Sequence, residues 1–197
     1  MKVIAIGSPK GGVGKSTTVL YLANAAAQRG LRVAVIDRDE SRHLSELLLR
    51  RRSLLREGVV LLDGDDVPSD GYDIVFIDTP PGVTAIRALH EADLIIVPVP
   101  PEEQGVVNLP RYLRNVEAQR RAGVRGLRLV AIQPTMVKPR RLHRHLLQTI
   151  AAIARRHDPP LLVLTPIPDR ARIAEYDLSA PDYAPSAQEL FTHVQLA

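Results

Sequence analysis

The stretch Lys10-Gly11-Gly12-Val13-Gly14-Lys15-Ser16-Thr17 has the residue types and spacing that grip phosphate. Glycines, having no Cβ, let backbone N–H groups converge on an anion. An apolar run, Val3-Ile4-Ala5-Ile6, precedes the loop, and a helix-prone segment over 17–29 follows it. The helix dipole and its free N–H groups then point at the same charge. Lys15 is placed to reach the β- and γ-phosphates of a nucleotide, and the Ser16 hydroxyl to ligate Mg²⁺. Acidic residues follow at two strand ends. Asp37-Arg38-Asp39 closes a Val/Ile-rich strand over 32–36, and alternation points Asp37 and Asp39 the same way. Asp78 closes another, Tyr72-Asp73-Ile74-Val75-Phe76-Ile77-Asp78. Carboxylates at strand ends beside a phosphate loop suit a metal ion and a reactive water, with Asp78 holding Mg²⁺ through a water.

The loop departs from the ordinary pattern. Pro9 stands where the first glycine is usual, and Lys10 adds a second lysine. This deviant Walker A loop, KGGVGKS, resembles that of the ParA/MinD family of ATPases. The resemblance covers nearly the whole chain, anchored by the loop, by Asp37 and Asp39, and by Asp78-Thr79-Pro80-Pro81-Gly82, which is similar to the family's Walker B strand and switch II. Glu40-Ser41 replaces the family's usual Pro-Gln, and the short spacing from Asp39 to Asp78 is similar to compact plasmid-type ParA proteins.

The resemblance implies a division of roles. Gly11, Gly12, Val13, Gly14, Lys15, Ser16 and Thr17 would bind the nucleotide, and Lys10 would contact phosphate in the partner subunit of a sandwich dimer. Lys10, Lys15 and Asp39 would be catalytic, with Asp39 orienting the attacking water. Ser16, Asp37 and Asp78 would form the Mg²⁺ shell. Gln133 occupies the place of an adenine-contacting Asn, and Pro168 and Asp169 would lie near the same ring. Arg140, Arg141, Arg144 and Arg172 fall in regions that touch DNA nonspecifically in similar proteins. The implied activity is slow ATP hydrolysis by a homodimer formed on ATP, stimulated by a ParB-type or cargo-adaptor protein.

The elements that must position these residues can be read from periodicity. Further strands are expected over 93–99, 127–132 and 161–164. Helices are expected over 41–56, 106–121, 139–157 and 186–195. In the second of these Leu109, Leu113 and Val116 face inward and Arg111, Arg114, Arg120 and Arg121 outward. Residues 57–72 read as an acidic connection. His143 and His145 are two apart, with no carboxylate nearby, and read as surface residues rather than zinc ligands. The βα alternation predicts one α/β domain over 1–197, a doubly wound, mainly parallel sheet with helices on both faces, of the P-loop NTPase type.

Composition narrows the function further. The absence of cysteine excludes disulfides, thiolate metal sites and iron–sulfur ligation. No apolar run reaches the roughly 18–20 residues of a membrane span. The first strand begins at the N-terminus, so neither a leader nor an operator-reading extension is expected, and the expected location is cytoplasmic; the family resemblance implies association with the nucleoid. Residues 111–172 carry 14 Lys/Arg against three acids, although the whole chain is only +4. Such segregation suits an anionic partner. A membrane-associated, MinD-like role would call for a basic amphipathic C-terminus, and 186–197 contains no Lys or Arg. A scaffold that binds nucleotide but barely hydrolyses it is a third possibility, and the retained Asp39 argues against it.

Overall fold

The computed structural model describes residues 1–82, 86–121 and 129–195. Seven strands form one parallel sheet: β1 (Lys2–Ile6), β2 (Val33–Asp37), β3 (Val59–Leu61), β4 (Ile74–Asp78), β5 (Leu94–Val99), β6 (Leu129–Pro134) and β7 (Leu162–Val163). Their order is β3-β2-β4-β1-β5-β6-β7. Consecutive parallel strands need crossovers, and helices supply most of them: α1 (Lys15–Ala27), α2 (His43–Arg50), α3 (Ile86–Glu91), α4 (Glu103–Arg121) and α5 (Arg141–Arg156). The short α6 (Ala171–Ala174) and α7 (Ala184–His193) close the chain.

Alternation along the strands divides the apolar residues between two cores. Ile4, Ile6, Val33, Val35, Ile74 and Phe76 pack with α1, α2 and α7 on one face. Val3, Ala5, Ala34, Ile36, Val75 and Ile77 pack with α3, α4 and α5 on the other. Strands buried on both faces read as nearly continuous Val/Ile runs, which is why they are evident in the sequence. The register aligns Asp37 with Asp78, and Asp78 with Ile6. Two carboxylates and the root of the glycine loop therefore meet at one edge, where the order reverses around β1 and open α/β sheets bind their ligands.

Several elements differ from expectation. The connection 57–72 contains β3, a three-residue edge strand too short to show periodicity. The helix expected over 41–56 ends at Arg50, where Arg51 takes φ −130° and ψ 64°, and a 3₁₀ turn, Arg52–Leu54, follows. The six-residue α3 was not anticipated. β6 starts at Leu129, and residues 127 and 128 of the expected strand lie outside the described residues. The inward set Leu109, Leu113 and Val116 is buried, and Arg111, Arg114 and Arg121 are exposed; the side chain of Arg120 lies outside the described ones. On α5 the inward face is His143, Leu146, Ile150 and Ala154, while Leu142 is exposed. His143 is thus a core residue rather than a surface one; His145 is exposed.

Candidate functional site

β1 delivers the chain directly into the glycine loop. Gly12 and Gly14 sit at φ +70° and +90°, conformations that a side chain disfavours, and a Cβ at Gly12 would meet nothing within 4 Å. Gly14 caps α1 without a side-chain cap, and the first turn of α1 holds no acid. Its N-terminal N–H groups thus remain available to an anion. The loop is anchored from behind, where the Thr135 hydroxyl donates to the Val13 carbonyl at 3.0 Å.

Lys15 is 7% exposed, and its Nζ lies 3.9 Å from Asp39 Oδ2. Asp39 Oδ1 accepts from both N–H and hydroxyl of Ser41, at 3.0 and 2.8 Å. One oxygen of Asp39 is therefore fixed, and the other faces the lysine. Asp37 is 1% exposed and serves mainly as a brace: Oδ1 accepts from Asp39 N (3.1 Å) and Oδ2 from Ser45 N (2.8 Å), at the start of α2. Both oxygens already hold backbone, so its first effect is to fix the corner that presents Asp39.

Asp78 contrasts with both. It is fully buried, and neither carboxylate oxygen has a hydrogen-bond partner. Burial pushes its pKa up to about 7, against the pull of the nearby Ser16 hydroxyl and Lys15 and with the help of Asp37 and Asp39. A buried, unsatisfied carboxylate beside a hydroxyl fits a hard divalent cation. Among the described residues no group of three or more His, Cys, Asp and Glu could hold a metal by itself. A Mg²⁺ ion here would be bound through Ser16 and Asp78 with phosphate and water oxygens completing its shell, as this ion usually is.

The loop after Asp78 is bonded to the end of β1 and the approach to the phosphate loop. The Thr79 hydroxyl donates to Ile6 O (2.8 Å) and Gly82 N to Ser8 O (2.9 Å). Beside them the second lysine points elsewhere. Lys10 Nζ pairs with Glu102 at 3.1 Å, with 55% of its side chain exposed. An exposed pair of this kind contributes about 0–1 kcal/mol, so Lys10 is readily redirected.

A cleft of about 220 Å³ runs from Gly14 and Thr17 along Met136, Pro168, Asp169, Tyr176 and Tyr183. Its apolar lining and its distance along α1 from the loop suit a planar base. Pro168 and Asp169 line it. Gln133 does not: it is buried, its amide nitrogen donates to the carbonyls of Thr165 (2.8 Å) and Pro134 (3.1 Å), and its oxygen accepts from Ser186. It braces the cleft from behind.

The arginines separate as well. Arg140, Arg141 and Arg144 cluster at the start of α5, exposed and in no ion pair among the described residues. His143 steadies this turn, accepting from Lys138 N at 3.0 Å through Nδ1. Burial and the neighbouring Arg140 and Lys138 cations hold its pKa low. Arg172 is different. With Arg170 it clamps the buried Asp182, at 2.7 Å and 3.2 Å, and so fixes the segment that walls the cleft. Nothing in the sequence marks Asp182 as its partner; only the folded path of the chain brings the two together.

The fold is that of the P-loop NTPases. Residues 4–180 match the CobQ/CobB/MinD/ParA nucleotide binding domain, and the chain belongs to that ParA/MinD family, whose members are generally ATPases. The chain is 29% identical to the chromosome-partitioning ATPase Soj of Thermus thermophilus, over 98% of this chain and 93% of that one. It is 28% identical to the chromosome partitioning protein ParA of Caulobacter vibrioides, over 89% and 83%. The ATP complex of a Cyanothece McdA variant superposes with a TM-score of 0.81 at 19% identity, over 99% of this chain and 96% of that one.

Proposed function

We propose that this chain is a ParA-type ATPase that dimerises on Mg-ATP, binds DNA nonspecifically and positions or segregates a DNA or other cargo. The observation that carries the reading is the contrast between the two lysines of one loop. Lys15 is buried at the phosphate site, whereas Lys10 stands exposed at the rim, held only by a weak pair with Glu102. A cation so placed is of little use to the phosphate in its own loop and is well placed for one presented by a second copy. The partition relatives support the cargo role. A membrane role gains no support from α7, whose Ala187, Leu190 and Phe191 are buried in the core.

Hydrolysis would be in-line attack of water on the γ-phosphorus, with the bond to the β-bridging oxygen breaking as ADP leaves. Bound Mg²⁺ would supply charge neutralisation across the β- and γ-phosphates. Lys15, and Lys10 from the partner subunit, would stabilise the charge on the transferred group, while Asp39 orients the water. The Thr79–Gly82 loop would follow the γ-phosphate, because it is bonded to Ile6 and Ser8 on the approach to the phosphate loop.

Light scattering with ATP and Mg²⁺ tests the dimer. Lys10→Ala is expected to bind nucleotide through Lys15 yet remain monomeric and inactive. A variant that dimerises and turns over like the wild type would remove the role assigned to Lys10.

Fluorescence anisotropy on random-sequence duplex tests the partner. Binding should need ATP and fall with salt at a log–log slope of roughly −0.9 per phosphate contact. A dimer sets two arginine clusters on one duplex, so the second engagement is intramolecular. Arg140→Glu, Arg141→Glu and Arg144→Glu together should abolish binding without preventing dimerisation. Arg172→Glu should instead lower the melting temperature, because it sets a second carboxylate against Asp182. Equal binding with ATP and ADP would contradict the switch.

A further inference from the structure

Arg38 sits between the two aspartates of the β2 corner, and alternation sends its side chain to the opposite face, where Ile36 also points. A solvated arginine would suit that sequence position. The structure buries it instead, with 7% of the side chain exposed. Its Nε donates to the Asp65 carbonyl at 2.8 Å, and Nη2 reaches both that carbonyl and Glu91 Oε2. Nη1 is buried without a hydrogen-bond partner. The Arg38 backbone N–H donates to Asp78 O at 2.9 Å, and Arg42 bonds the Asp37 carbonyl and the Asp65 carboxylate.

A guanidinium taken out of water with one nitrogen unsatisfied is a poor way to stabilise a fold. Apolar residues of similar volume often serve a buried ion pair's position as well or better. What the pair provides is a fixed geometry, since the planar fork holds its partners in one arrangement. Those partners are informative. Glu91 ends α3, the helix that follows the Thr79–Gly82 loop, and Asp65 lies in the connection after β3. Arg38 therefore ties the corner that carries Asp39 to the helix downstream of the loop that would follow the γ-phosphate.

We propose that Arg38 and Glu91 form a positioning pair for the hydrolytic step, setting Asp39 by locking the 37–42 corner to α3. This rests on the ATPase reading above. Neither residue touches the nucleotide; both act through Asp39. A shift of the reacting geometry by about 1 Å can cost a hundredfold in rate, so a buried tether one residue away is enough to matter.

Single-turnover hydrolysis and nucleotide affinity, measured on Arg38→Lys and Glu91→Gln and on each combined with Asp39→Ala, test the pair. Lysine keeps the charge and loses the fork; glutamine keeps the shape and loses the charge. Each is expected to slow hydrolysis about tenfold while nucleotide affinity stays within about twofold. Neither should slow the Asp39→Ala protein further, because the group being positioned is already gone. Losses that multiply with Asp39→Ala, or that merely track the unfolded fraction seen in a melting curve, would overturn the proposal. Should Arg38→Lys fail to fold, Glu91→Gln carries the same test. A wild type without turnover overturns the ATPase reading and this inference with it, whereas wild-type turnover with unaffected variants overturns the inference alone.

Discussion

Replacing Asp78 by asparagine is expected to make the nucleotide-free protein more stable and to abolish its retention of Mg-nucleotide. The folded-state pKa of Asp78, about 7, lies above its ordinary 3.8, so between those values the folded protein binds the extra proton and the unfolded chain does not. Stability from this group is complete below about pH 4 and is lost as pH rises through about 7. At pH 8 the loss amounts to at most about 4 kcal/mol. Asparagine does not titrate and removes the slope. For a chain of this size a gain of that order raises the melting temperature by roughly 8–16 °C. The same variant has no carboxylate for Mg²⁺, so added Mg-ATP should stabilise the wild type and not the variant. Thermal melts at pH 5 and pH 8, with and without Mg-ATP, check both halves. A wild-type melting temperature indifferent to pH across that range would show that the buried carboxylate finds a partner.

Asp39→Ala should slow hydrolysis by about a hundredfold or more while leaving Mg-ATP affinity within about threefold. Its Oδ1 is held by Ser41 and its Oδ2 is 3.9 Å from Lys15, beyond direct hydrogen-bond distance. Removing it deletes an orienting acceptor and leaves the phosphate loop intact. The variant should accumulate as an ATP-bound dimer in size-exclusion chromatography. Asp37→Ala should behave otherwise, because the N–H groups of Asp39 and Ser45 both lose their acceptor and the corner and the start of α2 loosen together. If Asp39→Ala fails to bind nucleotide, Asp39 is structural and the water must be oriented from elsewhere.

What could be read from the sequence is what lies close along the chain. The glycine loop, the strand ends at Asp37 and Asp78, and the buried runs of β1, β2, β4 and β5 declare themselves through spacing and period. Pro168-Asp169, singled out only through the family resemblance, lines the cleft. What the sequence hides is which side chains find partners that arrive from elsewhere in the fold. Arg172 belongs to Asp182, Gln133 to Ser186 and Thr165, and Arg38 to Asp65 and Glu91. Each polar residue looks free until the fold supplies its acceptor. His143 misleads for another reason: it shares the buried stripe of α5 with Leu146 and Ile150, and a histidine in such a stripe looks polar in a pattern that counts only aliphatic residues. β3 is invisible because three residues cannot show a period, and Val60 on this edge strand is largely exposed.

The sheet order also gives the two ends of the cleft unequal footings. The phosphate loop grows from β1, which has a paired strand on each side. The wall formed by 167–176 follows β7, a strand of two residues with one neighbour, and is held instead by three backbone bonds between 134–137 and 167–169 and by the Arg170 and Arg172 clamp on Asp182. Ladder bonds at a short edge open far more often than those in the middle of a sheet, so the base side depends on these contacts outside the ladder. The phosphate loop rests on the sheet itself, and the base wall on ties made after the sheet has ended.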